Sequence, residues 1–308
     1  MVLFAGVTIS GGGINIVPPP PPVFGGTSYG YSGAGSPIQR WSFASDSNAV
    51  TVGTLAINSG QNCNPGQASE TYGYVAGNNT TPTYKAIQKY SFATGTENAV
   101  VSAQLALGRH SSGGASSKAQ GYGYVLGGDT GNPTNNIEKF SFTSDTNGVS
   151  VGTITGASGG ALGLSSGTNG YATYGNTITK FPFATDTNAV VSASLSNVTS
   201  GAQASQSSCS TTDGFVSGIY DWPNYYMGIQ KFSFSSDTNS ANVGSIRYQI
   251  NGRSGGSSST TFGYQMGGYG GPIGNLNKIT KFPYAAGGTA TDVGTLTVAK
   301  TFPCGTQV

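Results

Sequence analysis

The sequence predicts an all-β fold, a six-bladed β-propeller with four antiparallel strands per blade, and three observations lead to it. First, an eleven-residue pattern recurs through the chain, in its clearest form Ile137-Glu138-Lys139-Phe140-Ser141-Phe142-Thr143-Ser144-Asp145-Thr146-Asn147. Its copies begin at Ile38, Ile87, Ile137, Ile178, Ile229 and Ile279, at successive steps of 49, 50, 41, 51 and 50 residues. Repetition at that period marks a solenoid, a propeller or an array. Second, the chain carries 50 glycines, 11% aromatic and only 8% charged residues. No stretch has the 3.6-residue apolar period of a helix, so almost no helix is expected. Third, each unit divides into four short strand signals.

Taken in order, residues 1–27 stand outside the repeat. They read MVLFAGVTISGGGINIV and then hold five prolines, Pro18 to Pro22. A proline run is a stiff spacer of about 3.1 Å per residue. Val2 to Ile9, including Leu3, Phe4 and Val7, and Ile14 to Val17, including Ile16, alternate like short strands with nothing in their own sequence neighbourhood to pair with. One reading is a tail lying along its own domain. The reading carried forward is an arm that docks on another copy or another protein by strand addition or bundling. Met1 to Gly6 lack a basic n-region, so no secretory signal is expected and nothing is expected to be cleaved.

From residue 28 to 308 the propeller units follow. Strand B is Tyr29-Gly30-Tyr31, Tyr72-Gly73-Tyr74-Val75, Tyr122-Gly123-Tyr124-Val125, Gly170-Tyr171-Ala172, Gly214-Phe215-Val216 and Phe262-Gly263-Tyr264. Strand C is the recurring pattern, with aromatic residues on one pleat face and Ile, Lys and Ser on the other, a period of two. Strand D is Val-rich, as in Val50 to Leu55, Val149 to Ile154, Val190 to Leu195 and Val293 to Leu296. Strand A lies in the Ser/Gly/Gln stretch before strand B, for example Gly66-Gln67-Ala68-Ser69, and is the least apolar of the four. The chain ends, after Leu296, on a lone strand A, while the first unit begins on strand B at Tyr29. The C-terminal strand is therefore expected to close the ring and remove its open edges.

A hydrophobic strand ending in Gly-Gly, as at Gly127-Gly128 and Gly267-Gly268, followed by an aromatic strand, resembles the kelch unit over residues 28–308. The wording KFSFATDTNAV followed by VGTL, and the terminal Thr-Ala-Thr-Asp-Val-Gly-Thr-Leu-Thr-Val-Ala-Lys, resembles repeat proteins of bacteriophages assigned as tail-fibre or other virion structural proteins. That likeness implies location on a virion and supplies no active site.

Composition excludes several function classes. A net charge of +2, with basic residues spread through the repeats, does not direct the chain to nucleic acid or an acidic membrane. No apolar run approaches the ~20 residues that span a bilayer, so no membrane insertion is expected. Three cysteines, Cys63, Cys209 and Cys304, make no disulfide framework. Cys63 and Cys304 fall at equivalent places, eight residues after Leu55 and Leu296, so a bridge between them is conceivable; buried thiols are the expectation.

The candidate chemistry is thin. Asp46-Ser47-Asn48, Asp145-Thr146-Asn147, Asp186-Thr187-Asn188 and Asp237-Thr238-Asn239 sit in the C–D turns, replaced by Gly95-Thr96-Glu97-Asn98 and Gly287-Gly288-Thr289 in the second and sixth units. They lack the further carboxylates that calcium requires. Asp and Asn closing turns onto their own backbone is the simpler reading. Arg40, Lys89, Lys139, Lys180, Lys231 and Lys281 fill one position of strand C, as a packing element would, stem on the adjacent sheet and head on water or a turn Asp. His110, beside Arg109, is the only histidine, which excludes a multi-histidine metal centre. No unique carboxylate pair presents itself for glycoside hydrolysis. The sequence therefore predicts a non-enzyme with no cofactor and no metal.

The units differ most in the B–C connection. It is short at Gly33 to Pro37 and Gly175 to Thr177, and long elsewhere, with Tyr84 in the second unit, Tyr220-Asp221-Trp222-Pro223-Asn224-Tyr225-Tyr226-Met227 in the fifth and Tyr269 in the sixth. In an up-and-down blade the B–C and D–A loops share one face and the A–B and C–D turns the other. Both ends of the propeller lie on the uniform turn face, so an arm-anchored propeller presents its variable face outward. Asp221, Trp222, Asn224, Tyr225 and Tyr226, with Tyr84 and Tyr269, would suit a sugar ring or a protein hot spot; the alternative is a loop tucked over its own blade. Asn78, Asn79 and Asn197 head sequons that matter only for a secreted chain. The functional expectation is a virion structural and adhesion protein, anchored through residues 1–27 to copies of itself or other virion proteins and binding a host surface glycan or protein. A self-polymerising extracellular filament subunit and a carbohydrate-active propeller enzyme are the alternatives.

Overall fold

A computed structural model describes residues 7–10, 13–16, 28–33, 36–57, 66–78, 85–92, 99–156, 159–221, 223–250, 254–285, 287–301 and 303–305. It is an all-β propeller of six blades, each an antiparallel sheet whose strands A to D run outward from the axis. Blade three shows the plan: Gly113–Ser117, Tyr122–Leu126, Asn136–Ser141 and Val149–Thr153 as A, B, C and D. Blade two uses Gly66–Ala68, Tyr72–Ala76, Ala86–Ser91 and Val100–Gln104. Blade four uses Leu162–Ser165, Asn169–Tyr174, Thr177–Pro182 and Val190–Ser194. Blade five uses Gln206–Cys209, Asp213–Asp221, Asn224–Ser233 and Ala241–Ser245, and blade six Gly255–Ser258, Phe262–Met266, Lys278–Pro283 and Thr291–Thr295. Blade one has strands B to D at Tyr29–Ser32, Ile38–Ser42 and Val50–Gly53. Among the described residues there is nearly no helix, as the sequence predicts; a 3₁₀ turn at Gly271–Ile273 interrupts the β structure of blade six.

The Tyr-Gly-Tyr signature of strand B is explained by what lies opposite it. Gly30, Gly73, Gly123, Gly170, Gly214 and Gly263 pair directly with Trp41, Tyr90, Phe140, Phe181, Phe232 and Phe282 on strand C. A Cβ at any of these glycines would lie 2.2–2.4 Å from the facing ring. The glycine is therefore a space requirement: the strand-C ring lies flat across its own sheet in the room a side chain would take. The next residue of strand B, Tyr31, Tyr74, Tyr124, Tyr171, Phe215 or Tyr264, packs against two aromatic rings of the following blade. Tyr124 meets Phe181 and Phe183 at centroid distances of 5.3 and 5.0 Å, and the same three-ring contact recurs at all six blade boundaries. These rings form the buried core between the sheets.

A polar clamp lies over this core on the turn face. Lys89, Lys139, Lys180 and Lys281 bond through Nζ to Asp145, Asp186, Asp237 and Asp46 in the C–D turn of the following blade. Three of these ammonium groups also lie over an aromatic ring of their own strand B, Lys139 at 4.1 Å from the Tyr122 centroid, a cation–π contact. The turn Asn reaches back as well: Oδ1 of Asn147, Asn188, Asn239 and Asn48 accepts the amide of Gln104, Thr153, Ser194 and Thr295 at 3.0 Å. The expectation that these Asp and Asn side chains serve their own turn is thus corrected. They bind the preceding blade, and Asp contributes to the turn through its left-handed backbone, φ 46–49°. Short polar side chains tolerate that region, and glycine tolerates it best.

The ring closes as the chain ends predict. Ser32 bridges Gly305, Gly33 N donates to Cys304 O at 3.0 Å, and Ala49 N donates to Thr295 O at 2.8 Å. Thr297 N donates to Gln39 Oε1 at 2.6 Å, and buried Lys300 donates through Nζ to Pro37 O at 2.7 Å. Cys209 and Cys304 are buried; Cys63 lies outside the described residues. Of the arm, Val2, Leu3, Phe4, Val17 and the proline run also lie outside them. Val7–Ser10 and Gly13–Ile16 pair with each other, Val7 with Ile16 and Ile9 with Ile14, which corrects the expectation that they have no partner in their own neighbourhood.

Two measurements test this account. Gly123→Ala should lower unfolding free energy by about 1–3 kcal/mol through overpacking against Phe140, and Phe140→Leu in the same chain should recover part of the loss; additive losses in denaturant unfolding would contradict the shared-space reading. Burial lowers the Lys300 pKa from 10.5 to about 8, partly opposed by Cys304. Between those values the unfolded chain binds a proton that the folded chain does not, so this group makes stability rise with pH, by up to about 3 kcal/mol. The raised Cys209 and tyrosine pKa values act in the opposite direction at the upper end. The stability difference between the parent and Lys300→Met should therefore grow from pH 8 to 10; a flat difference would refute the linkage.

Candidate functional site: the loop face

The face opposite the clamps is built from the B–C and D–A loops, and its foundation is a buried ion pair. Arg109 and Glu138 side chains are both fully buried and bonded to each other. The guanidinium also donates to Leu107 O at 3.2 Å, Gly127 O at 2.9 Å, and Asn136 O and Oδ1 at 3.0 and 2.7 Å. With Glu138 that uses all five donors of an arginine. Glu138 in turn accepts the amides of Ala106 and Leu107 at 2.7 and 2.9 Å. Desolvation lowers the Arg109 pKa, and the Glu138 carboxylate works against that shift. The pair fastens the D–A loop of blade two to the B–C loop of blade three. His110 extends the same fastening through its backbone, exchanging bonds of 3.0 and 2.8 Å with Asp129. Its Nδ1 lies 3.0 Å from Ser111 Oγ.

Blade five departs from the others. Its strands B and C run nine and ten residues, against four to six in the rest, so the predicted loop at 220–227 is an extended hairpin. A bulge at Gly218, φ 64°, shifts the register, after which Ile219 pairs with Tyr226, Tyr220 with Tyr225, and Asp221 with Asn224. The inner side of the hairpin is anchored. Ile219 is buried, and Tyr220 exchanges backbone bonds of 2.8 and 2.9 Å with Gln203 of the preceding D–A loop. Asp221 is buried and accepts both the amide, at 2.9 Å, and the hydroxyl of Thr199. Tyr226 packs partly against the core between blades four and five. The outer side presents Tyr220 and Tyr225, whose rings lie 5.0 Å apart and tilted by 32°. Partial desolvation, with Tyr225 beside it, raises the Tyr220 pKa.

The structure therefore divides the predicted residues. Tyr225 and exposed Asn224 lie at the hairpin tip, Asp221 holds the loop beneath it, and Tyr226 is shared with the core. Trp222 and Tyr84 lie outside the described residues. Tyr269 is exposed on the blade-six loop, bridged to Asn275 and followed by exposed Ile273. Tyr220 was absent from the predicted set, although its position two residues before a Trp-Pro turn puts it opposite Tyr225 once the segment is read as a hairpin. Among the described residues, no cluster of three or more His, Cys, Asp or Glu side chains is arranged to hold a metal ion.

No protein-family model matches the chain, and no curated protein matches it.

Removing one partner of a buried ion pair leaves the other charge uncompensated. Glu138→Ala should cost about 3–5 kcal/mol in denaturant unfolding, with accelerated hydrogen exchange at Ala106 and Leu107. A loss within 1 kcal/mol would show that the pair does not hold the loops.

Proposed function

We propose that this is a non-enzymatic recognition protein of a phage particle, a kelch-like propeller that docks through residues 1–27 and offers its loop face to a host surface glycan or protein. The carrying observation is the blade-five hairpin, which projects Tyr220 and Tyr225 together from a ring otherwise built of near-identical units. Two adjacent rings backed by a rigid strand pair supply flat apolar area at low entropic cost, with phenol hydroxyls for polar contacts, as sugar and protein recognition requires. Exposed Asn224 adds an amide at the same tip.

Seven of the eleven acidic residues are committed to structural contacts, which supports the non-enzymatic reading. Asp46, Asp145, Asp186 and Asp237 are committed to blade clamps, Asp213 to Lys231, Glu138 to Arg109, and Asp221 to Thr199. The likeness of the repeat wording to tail-fibre proteins supports the virion setting. The self-paired segment Val7–Ser10 and Gly13–Ile16 favours an arm that docks as a ribbon, because a two-stranded hairpin is marginally stable alone and gains from a partner.

A glycan array probed with the full chain, Tyr225→Ala and Tyr220→Ala tests the site. Binding should weaken at least about tenfold, ~1.4 kcal/mol, in each variant. Equal binding by all three would remove the hairpin from the site, and release of cleaved polysaccharide by the parent would overturn the non-enzymatic assignment.

A further inference from the structure

At the channel mouth on the turn face, opposite the hairpin, an open cavity of about 360 Å3 is bounded by the inner ends of blades three to six. Its wall is tied together by hydrogen bonds from blade to blade. The inner-strand amide of one blade donates to the side chain at the same register in the next: Ala68 N to Ser116 Oγ at 3.0 Å, Ser116 N to Ser165 Oγ at 2.8 Å, and Cys209 N to Ser258 Oγ at 3.0 Å. The Ser165 amide acts on the Cys209 thiol in the same way, so a cysteine fills a serine slot. A hydroxyl that accepts an amide still holds a proton to donate. Burial raises the Cys209 pKa, which keeps the thiol protonated as a weak donor.

One turn breaks the regularity. Six residues separate Ser116 from its partner position Gly123 in blade three, whereas four separate the equivalent pairs in blades two, four, five and six. The longer turn carries Lys118 to the cavity wall. Although much of the residue is exposed, its surroundings desolvate the ammonium enough to lower its pKa, with Cys209 and Glu70 acting in the opposite sense. Among the described residues the wall thus combines one cation with hydroxyl and thiol groups and contains no carboxylate; Glu70 stands outside it on the neighbouring turn.

We propose that this channel mouth binds a small solute bearing a carboxylate on a compact hydroxylated scaffold, Lys118 taking the charge and Ser116 and Ser165, whose hydroxyls accept amides and keep a proton, donating to the oxygens. The volume is at the small end of ligand cavities, the size of a single sugar acid. A cation beside preorganised hydroxyl donors selects an oxyanion over a neutral polyol. The site is independent of the hairpin on the opposite face.

Titration of the full chain with D-glucuronate, D-glucose and inorganic phosphate, followed by calorimetry or NMR shifts, tests this. Glucuronate should bind saturably and glucose at least about tenfold more weakly. Lys118→Met should weaken glucuronate about tenfold with an unchanged unfolding midpoint, Glu70→Gln should strengthen it, and Tyr225→Ala should leave it unaltered. No saturable glucuronate binding, equal affinity for glucose, or indifference to Lys118→Met would overturn the proposal. Phosphate binding without glucuronate binding would overturn the carboxylate assignment.

Discussion

Every blade depends on the absence of a side chain at one position of strand B. With Gly123 beneath it, Phe140 lies across its own sheet and exposes its far side to Tyr74 of the preceding blade. A Cβ would lift the ring and close the slot that the neighbouring tyrosine fills. Core packing is stiff to changes of this size, so the glycine fixes the spacing between adjacent sheets. The spacing is repeated because the glycine is repeated. A closed ring needs nearly equal steps at all of its boundaries, including the one formed by residues far apart in the chain, where Tyr264 meets Trp41 and Phe43.

The polar clamp shows how a boundary survives the loss of a part. Blade six has Gly287 where four other blades have the turn Asp, and its φ of 63° keeps the same left-handed turn. Lys231 of blade five, deprived of a partner across the boundary, pairs instead with Asp213 of its own strand B, at 3.2 Å. Asp213 occupies the place where blades two, three and six put the aromatic residue under the lysine, so Lys231 combines an ion pair within the blade with a longer cation–π contact to Phe215, 5.8 Å from the ring centroid. The Asn function is replaced by backbone: Gly288 and Thr289 pair in parallel with Gly244 and Ser245 of blade five. Partly exposed ion pairs contribute little individually. Their part is to orient the turn over an aromatic boundary that supplies most of the cohesion.

Blade number, strand order and closure were legible because each rests on local pattern repeated often enough to exclude chance. Destinations were less legible. Asp145 and Asn147 read as turn residues, since short polar side chains serve their own turns in most contexts; the strand-C lysine offered a turn Asp as one of its partners, as the clamps bear out, whereas the reach of Asn147 to the preceding blade follows only from how close the sheets approach. Asp221 read as an exposed recognition residue, yet the hairpin turns it inward onto Thr199. The Tyr225 side of the same hairpin reads outward, and Tyr220, though part of that connection, stays outside the candidate binding set because Gly218 interrupts the alternation that would have continued strand B. Arg109 gave no signal beyond its charge, because its five acceptors come from four different places in the chain.

The two faces are consequently under different constraints. In blades one, three, four and five the C–D turn on the clamp face touches the preceding blade through Asp, Asn and backbone, so a change there must be compensated across a boundary, as the fifth and sixth blades illustrate. The B–C loops take no part in the clamps, and lengthening one, as in blade five, leaves the aromatic core untouched. Variation in length is therefore tolerated on the loop face and resisted on the outer part of the turn face. The A–B turns lie on the turn face yet inside the clamps, around the axis, where amide-to-side-chain contacts hold the residue before the turn and, in blades two, four, five and six, the next serine closes the turn onto its own backbone. In blade three the residue at that place, Ser117, continues the ladder by pairing with Tyr122, so the turn carries two more residues, and a lysine, with the register of Ser116 and Gly123 kept.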